Sequence, residues 1–188
     1  MTVKVFRKKG NVDIKDVKNL AKALASREVT IGVHKEEGAK LNPETNTPVI
    51  KYACWNEFGT NHITKYRYKF VRHGKYVEIP QGSDISIPER HFVRVKNSEE
   101  LRNAIKLWHR KIKKGLYKNL SHKRSDGVAN ELLSEVGRLY LHQMWHILQS
   151  GKDLEPNAPL TEYLKGFNHP LVDTGTLFQS LRYKVKTR

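Results

Sequence analysis

The stretch from Pro170 to Val185 changes its apolar period within sixteen residues, and this change constrains the fold more than any other sequence feature. Its first half predicts a short helix from about Thr174 to Ser180. Asp173 would be its N-cap, because its carboxylate can accept hydrogen bonds from the free amides of the first turn. The residues after Ser180 alternate between apolar and basic side chains, which is typical of a half-buried strand. Such a strand needs a sheet formed by other parts of the chain.

The other periodic segments alternate short strands with helices. The predicted elements are a strand at Val3–Val5, a helix from Asp13 or Asp16 to Ala25, a strand at Val29–Val33, a helix from Pro48 to Gly59, and long helices at 98–120 and 125–150. Residues 35–46 and 80–88 are expected to be loops. Gly137, within the second long helix, would permit close approach of another backbone. We therefore expect one α+β domain over residues 1–188, with a small antiparallel or mixed sheet packed against the two long helices.

A basic β-hairpin is predicted inside an insertion at about residues 61–86. Tyr66, Tyr68 and Phe70 alternate with basic residues, His73-Gly74 suits a tight turn, and residues 76–79 return. A lone two-stranded hairpin is marginal in water, so it must pack on its own domain or on a neighbour.

The chain is strongly basic, with a formal net charge of +16 over 188 residues. Residues 61–124 hold 17 Lys and Arg against 5 Asp and Glu, a local excess of +12. This balance indicates an acidic partner, either nucleic acid or an acidic protein surface. No apolar run is long enough to span a membrane. The single cysteine, Cys54, fits a reducing compartment and is expected to be a small buried hydrophobe.

No residue pattern predicts an enzyme, a cofactor or a metal site. Asp173-Thr174-Gly175 is the tripeptide of aspartic proteases, but that chemistry needs two carboxylates, so a single copy would require a dimer. Only 13 residues follow Gly175, and the helix cap is the favoured interpretation. His142 and His146 have zinc-ligand spacing, but Gln143 replaces the glutamate of the metalloprotease motif. We interpret both histidines as helix-surface residues.

Two further features leave alternatives open. The basic helix at 98–120 and the hairpin at 64–79, with their interleaved aromatic residues, could bind nucleic acid, or could be a solvated face and a packed hairpin. Glu57, in the segment YACWNEFGT, is either an ordinary surface carboxylate or the partner of a basic residue in another copy of the chain.

Three segments together resemble the tail-completion or neck proteins of tailed bacteriophages, the head–tail joining components of virion morphogenesis. They are EVTIGV with the helix ending in Asn56-Glu57-Phe58-Gly59-Thr60; Ile87-Pro88-Glu89-Arg90-His91-Phe92; and Pro170-Leu171-x-Asp173-Thr174-Gly175-x-Leu177-x-x-Ser180. His91 stands where the family usually has proline. In the family the first motif runs almost directly into the second, so the hairpin is an insertion particular to this chain.

The resemblance implies a structural virion protein without catalysis or cofactor, located in the virion neck or tail and in the host cytoplasm during assembly. It implies a homo-oligomeric ring, commonly six-membered, between the head connector and the tail-tube or tail-terminator proteins, with packaged DNA passing through its channel. The expected subunit-interface residues are Glu57, Tyr66, Arg67, Tyr68, Lys69, Phe70, Tyr76 and Arg90. The expected structural-motif residues are Asn56, Gly59, Pro88, Asp173 and Gly175.

Overall fold

The computed structural model describes residues 13–94, 99, 102–110 and 124–188, and its helices and small antiparallel sheets confirm the predicted α+β class. The helices are α1 (Ile14–Ala25), α2 (Lys35–Gly38), α3 (Val49–Phe58), α4 (described over 102–110), α5 (Ser125–Ser150), α6 (Pro159–Lys165) and α7 (Thr176–Ser180). The strands are β1 (Arg27–Val33), β2 (Thr60–Ile63), β3 (Tyr68–Arg72), β4 (Lys75–Ile79), β5 (Asp84–Ile87) and β6 (Leu181–Thr187).

The prediction of two long helices is confirmed in part. The second, α5, lies close to the predicted bounds, ends at Ser150 and is 26 residues long. The first is helical over residues 102–110. Most of the remaining residues of the predicted 98–120 helix lie outside the described part of the chain. The strand predicted at Val3–Val5 also lies outside them.

The chain groups into two compact units, each built from separated segments. The described residues of the first unit fall within 13–31, 99–110, 124–141 and 183–188. The second unit contains residues 32–94 and 142–182. The expectation of a single domain over residues 1–188 stays a prediction.

The core of the first unit lies where α1 packs on the start of α5. Leu20 and Ala23 of α1 are buried together with Val128 and Ala129 of α5. Asp13 caps α1, as one of the two predicted starts requires, because its carboxylate accepts a hydrogen bond from the amide of Lys15. The cap thus stabilises the start of α1, and the apolar burial holds the helix against α5.

The strand β6 pairs with β1 and also lies against α5. Arg188 donates its amide to the carbonyl of Ser26, and the Thr30 hydroxyl donates to the carbonyl of Lys184, so the two strands run antiparallel. A Cβ atom added at Gly137 would lie 2.5 Å from the ring of Tyr183. The predicted close approach at this glycine therefore occurs, but its partner is an aromatic ring and not another backbone.

The second unit contains two small antiparallel ladders, one nested inside the other along the chain. The outer ladder pairs β2 with β5, from Thr60 opposite Ile87 to Ile63 opposite Asp84. The inner ladder is the predicted hairpin, which pairs β3 with β4. Its turn residues His73 and Gly74 both have positive φ, at 50° and 73°, as a two-residue type I′ turn requires.

Three elements of the second unit differ from the sequence expectation. The segment predicted as a loop at 35–46 contains the short helix α2, and the predicted loop at 80–88 contains β5. The helix α6 was not predicted at all. The strand β5 depends on tertiary pairing, because β2 supplies its hydrogen-bond partners.

None of the helices in the described part of the chain combines the length and the apolar character that crossing a membrane requires.

Candidate functional site: a buried polar junction and an exposed hairpin

The residues singled out from the sequence separate into a buried junction and an exposed hairpin, both within the second unit. The junction contains Asn56, Glu57, Gly59, Pro88 and Arg90. The hairpin carries the aromatic and basic candidates from Tyr66 to Tyr76.

Glu57 is the centre of the junction, and its side chain is almost fully buried. Val49, Ala53 and Glu57 are spaced by four residues on α3 and are the buried residues of that helix. One carboxylate oxygen of Glu57 accepts the amides of Phe92 and Val93, each at 2.9 Å, and the other accepts the amide of Arg94 at 3.3 Å. Burying a carboxylate is costly unless it is hydrogen-bonded, and here three consecutive amides meet that need.

Of the two interpretations that the sequence left open for Glu57, the surface carboxylate is wrong, and the pairing with another copy stays a prediction. The residue is 4% exposed, so it is not a surface carboxylate. Its oxygens accept hydrogen bonds from the backbone of its own chain, and the Arg94 guanidinium at 3.5 Å and the His91 imidazole at 3.6 Å also belong to that chain. The carboxylate thus fixes the segment after Arg90 onto α3 within its own chain.

Arg90 is the second charged residue of the junction, and it is only 6% exposed. Its amide donates to the Asn56 carbonyl at 2.6 Å, and its guanidinium donates to the Asn56 side-chain oxygen at 2.9 Å. Two further guanidinium bonds reach the carbonyls of Glu155 and Pro156, both at 2.6 Å. Burial lowers the pKa of Arg90, partly offset by the Glu155 carboxylate. The guanidinium thus binds groups inside its own unit, and the expectation that Arg90 is an interface residue stays a prediction.

Gly59 and Pro88 lie where the insertion leaves and rejoins the junction. Gly59 has a φ of 65°, and a Cβ atom there would lie 3.1 Å from the Ile87 carbonyl oxygen. Only glycine fits this combination of backbone angle and close contact without strain. Because Thr60 pairs with Ile87 directly after this point, the ends of the insertion are held side by side. The insertion therefore leaves the two flanking motifs in contact with each other.

Thr64 closes the outer ladder at the base of the hairpin. Its hydroxyl donates to the Pro80 carbonyl at 2.7 Å and accepts the amide of Ser83 at 2.9 Å. Its amide also donates to the Ser83 carbonyl at 2.9 Å. This buried threonine ties the strand entering the hairpin to the segment leaving it.

The hairpin exposes aromatic and apolar side chains on both faces. On one face Tyr68 lies opposite Ile79 and Phe70 opposite Val77, and of these four only Val77 is buried. On the other face Val71 and Tyr76 form a cross-strand pair, exposed by 66% and 58%. Tyr66, just before the hairpin, is exposed as well.

The basic candidates of the hairpin share one acidic neighbour. Arg67 lies 3.3 Å and Lys69 3.5 Å from the Glu78 carboxylate, which also accepts a hydrogen bond from Tyr76. Exposed pairs of this kind stabilise a fold only slightly. The outer surface of the hairpin is therefore an apolar patch with a mixed-charge border.

The turn of the hairpin packs on its own unit through groups that the sequence did not single out. Arg72 forms ion pairs with the carboxylates of Glu44 and Asp173. Lys75 donates to the backbone carbonyl of Tyr163 and lies 4.5 Å from the centre of its ring. The alternating pattern gave no sign that Arg72, one of several basic residues in the strand, has this role.

Asp173 does not cap a helix, so that prediction is wrong. The helix α7 starts at Thr176, two residues later than predicted, and its N-cap is Gly175, with no side-chain cap. Gly175 has a φ of 74°, which suits glycine. The Asp173 carboxylate is turned to Arg72 instead, because an ion pair across the loop replaces the local amides as its partner.

Glu44, His73 and Asp173 bring three potential metal-ligand atoms within 4.8 Å of one another. The guanidinium of Arg72 already binds both carboxylates of this group, so its positive charge occupies the place that a metal ion would need. The arrangement is an arginine-centred ion-pair cluster.

The remaining candidates take ordinary positions on helix surfaces. His142 and His146 are exposed on α5, as expected for surface residues. Cys54 is also exposed, so the expectation of a buried cysteine is wrong. It follows Ala53 by one residue, and a 100° step around α3 carries it off the buried face.

No protein-family model, curated protein or solved structure matches this chain.

Proposed function

We propose that this chain is a structural subunit of a tailed-phage virion, a ring-forming neck or tail-completion protein at the head–tail junction. The observation that carries the proposal is that residues 56–60, 87–92 and 170–180, one part of each motif segment, lie in one compact unit. The first motif, at 56–60, contacts the second through Asn56, Glu57 and Arg90. The third, at 170–180, supplies α7, which packs against α3.

The insertion supports the same proposal because of the way it is attached. In the family that the sequence resembles, the first motif runs almost directly into the second. In this chain the β2–β5 ladder holds residues 60 and 87 opposite each other, so the two motifs remain adjacent despite the residues between them. An insertion attached in this way adds the surface of the hairpin and leaves the contact between the two motifs in place.

The hairpin is the surface that this proposal assigns to a neighbouring subunit. Val71 and Tyr76 are apolar or aromatic, exposed and directly opposite each other. Contiguous exposed apolar patches mark sites of association, and aromatic residues and arginine are enriched at interfaces. A ring needs a heterologous contact, in which one face of a subunit meets a different face of the next. A hairpin anchored at its turn and base offers one such face.

The positive charge of the chain fits acidic protein partners in this arrangement. Packaged DNA must slide through the channel of a neck ring, and a strongly attractive lining would oppose that movement. We therefore assign most of the excess of +16 to contacts with acidic surfaces of the adjoining head-connector and tail proteins.

Size-exclusion chromatography with light scattering tests the ring, with electron microscopy of assembled particles as the second measurement. We expect the purified chain to form a closed oligomer, or to join one when its connector partner is added. Val71→Asp should prevent this while leaving the circular dichroism spectrum unchanged. The matched control is Val29→Asp on β1, outside the hairpin, which should reduce stability and leave the hairpin surface intact. A chain that stays monomeric in every assembly, or is absent from virions, would refute the proposal.

Direct nucleic-acid binding is the alternative function, and one observation favours it. Lys106 and Arg110 of α4 are exposed in the described part of that helix, one turn apart. If they bind phosphates, the logarithm of the affinity for duplex DNA should fall steeply with the logarithm of the salt concentration. Tight, salt-dependent binding that Lys106→Gln weakens, by a chain with no virion role, would support this alternative over the ring.

A further inference from the structure

A pocket of about 310 Å³ lies within the second unit, beside the buried junction. Its size is at the lower end of small-molecule sites, which range from about 300 to 1,000 Å³. The lining combines three cationic side chains with neutral donors and one carboxylate. The residues that matter for its chemistry are Tyr52, Arg72, Arg90, Asn157, Lys165 and Asp173.

Two of the three cations have only neutral partners. The guanidinium of Arg90 donates to two backbone carbonyls and one side-chain amide oxygen. The Lys165 ammonium donates to the His169 carbonyl at 2.5 Å and lies 4.7 Å from the ring centre of Phe167. Within the described residues, neither cation has a carboxylate oxygen at ion-pair distance.

The third cation, Arg72, is shared between the carboxylates of Glu44 and Asp173. The exposed Glu155 carboxylate acts on Arg90 from outside ion-pair distance. Two positive charges are thus partly buried at the pocket without a directly bound anion. Removing a charge from water without a counter-charge is costly, and a bound anion would offset that cost.

The charges around Lys165 also favour a bound anion. Burial is the main cause that lowers its pKa, the Asp173 carboxylate raises it, and the nearby charges of Arg72 and Arg90 lower it further. The three cations therefore repel one another across this site. An anion bound among them would relieve that repulsion.

Two buried donors of the lining have no hydrogen-bond partner among the residues that the structure describes. They are the hydroxyl of Tyr52 and the side-chain nitrogen of Asn157. Burial raises the pKa of Tyr52 to about 12, so its hydroxyl keeps its proton at neutral pH and can donate. Buried polar groups are nearly always hydrogen-bonded in folded proteins, so two such donors at one pocket indicate a ligand rich in acceptors.

We propose that this pocket binds a small oxyanion, either a phosphate or a carboxylate group. Both groups offer a negative charge, which would pair with Arg90 and Lys165. Both also offer several acceptor oxygens for the donors of Tyr52 and Asn157. The site belongs to a single chain and does not depend on ring formation, so it stands apart from the proposed assembly role.

Isothermal titration of the full chain with inorganic phosphate, and separately with glutarate, tests the site. Tyr52→Phe removes only a hydroxyl that has no partner in the described part of the chain, so folding should be unaffected. Losing a hydrogen bond to a charged group should weaken binding about tenfold. Lys165→Met should weaken it at least as much. The matched controls are Tyr66→Phe and Lys51→Met, which make the same chemical changes at exposed positions outside the lining.

Each outcome has a defined meaning. Tighter binding of phosphate supports the site and assigns a phosphate ligand, whereas tighter binding of glutarate supports it and assigns a carboxylate. Absence of binding by either anion at concentrations up to about 10 mM, corresponding to less than about 3 kcal/mol, would overturn the proposal. Equal weakening by the control variants would also overturn it, because binding would then follow the net charge and not the pocket.

Discussion

Replacing the buried carboxylate of Glu57 by an amide is the sharpest test of the junction. In Glu57→Gln the shape is kept, but only one oxygen remains to accept hydrogen bonds. If that oxygen keeps the amides of Phe92 and Val93, the new NH₂ group must face the amide of Arg94, which is also a donor. The substitution therefore weakens two bonds and replaces the third with an unfavourable donor–donor contact.

The magnitude follows from the bonds involved. Hydrogen bonds to a charged group contribute about 1.5–3 kcal/mol and neutral ones about 0.5–1.5 kcal/mol, so each retained bond loses about 1 kcal/mol. Leaving the Arg94 amide unsatisfied costs about 1–2 kcal/mol more. We expect Glu57→Gln to lower the free energy of unfolding by about 3 kcal/mol in total. If Glu57 were a surface carboxylate, the change would stay within about 0.5 kcal/mol.

Urea unfolding followed by far-ultraviolet circular dichroism measures this difference. The matched control is Glu162→Gln on α6, where the carboxylate is exposed, and its midpoint should barely change. Hydrogen exchange adds a local readout, because the amides of Phe92 and Val93 should lose protection in the variant. A free-energy change no larger than that of the control, with protection at these amides retained, would refute the junction.

Three further predictions concern packing, the ion-pair cluster and pH. Gly137→Ala should destabilise the chain by about 1–3 kcal/mol in thermal or urea unfolding, because the new Cβ meets the Tyr183 ring, whereas Gly127→Ala in the same helix meets open space and should be neutral or stabilising. Asp173→Ala should cost about 1 kcal/mol through the lost ion pair and increase protease cleavage at the hairpin turn; unchanged cleavage would argue against anchoring there. Folding raises the pKa of Tyr52 from 10 to about 12, so between these pH values the unfolded chain loses the proton of this hydroxyl more readily than the folded chain. The free energy of unfolding should therefore fall from pH 10 to pH 12, and the melting temperature of Tyr52→Phe should fall less over the same range.

Local patterns determined the elements whose partners lie nearby in sequence. The two-residue period and the His73-Gly74 turn predicted the hairpin, and the structure confirms it, because a type I′ turn and its flanking strands depend on neighbouring residues. The same holds for α5, whose 26 residues carry their own helical hydrogen bonds. β5 could not be predicted, since its ladder is made with residues more than twenty positions away.

The burial of the charged residues of the junction could not be predicted from the sequence pattern. Val49, Ala53 and Glu57 have the spacing of a buried helix face, and this was the signal that Glu57 is internal. A carboxylate, however, is ordinarily expected at the surface. Nothing near Glu57 in the sequence reveals that three amides from residues 92–94 donate hydrogen bonds to it. Likewise, nothing near Arg90 in the sequence reveals that the carbonyls of Glu155 and Pro156 accept its hydrogen bonds.

The sequence by itself determined the α+β class, the hairpin with its His73-Gly74 turn and the long helix α5, because period and turn chemistry are properties of neighbouring residues. Only the tertiary structure decided which charges are internal: Glu57 and Arg90 in the junction, and Asp173 paired with Arg72 instead of capping a helix. The physical reason is that the cost of burying a charge depends on the partners it finds, and those partners come from distant parts of the chain.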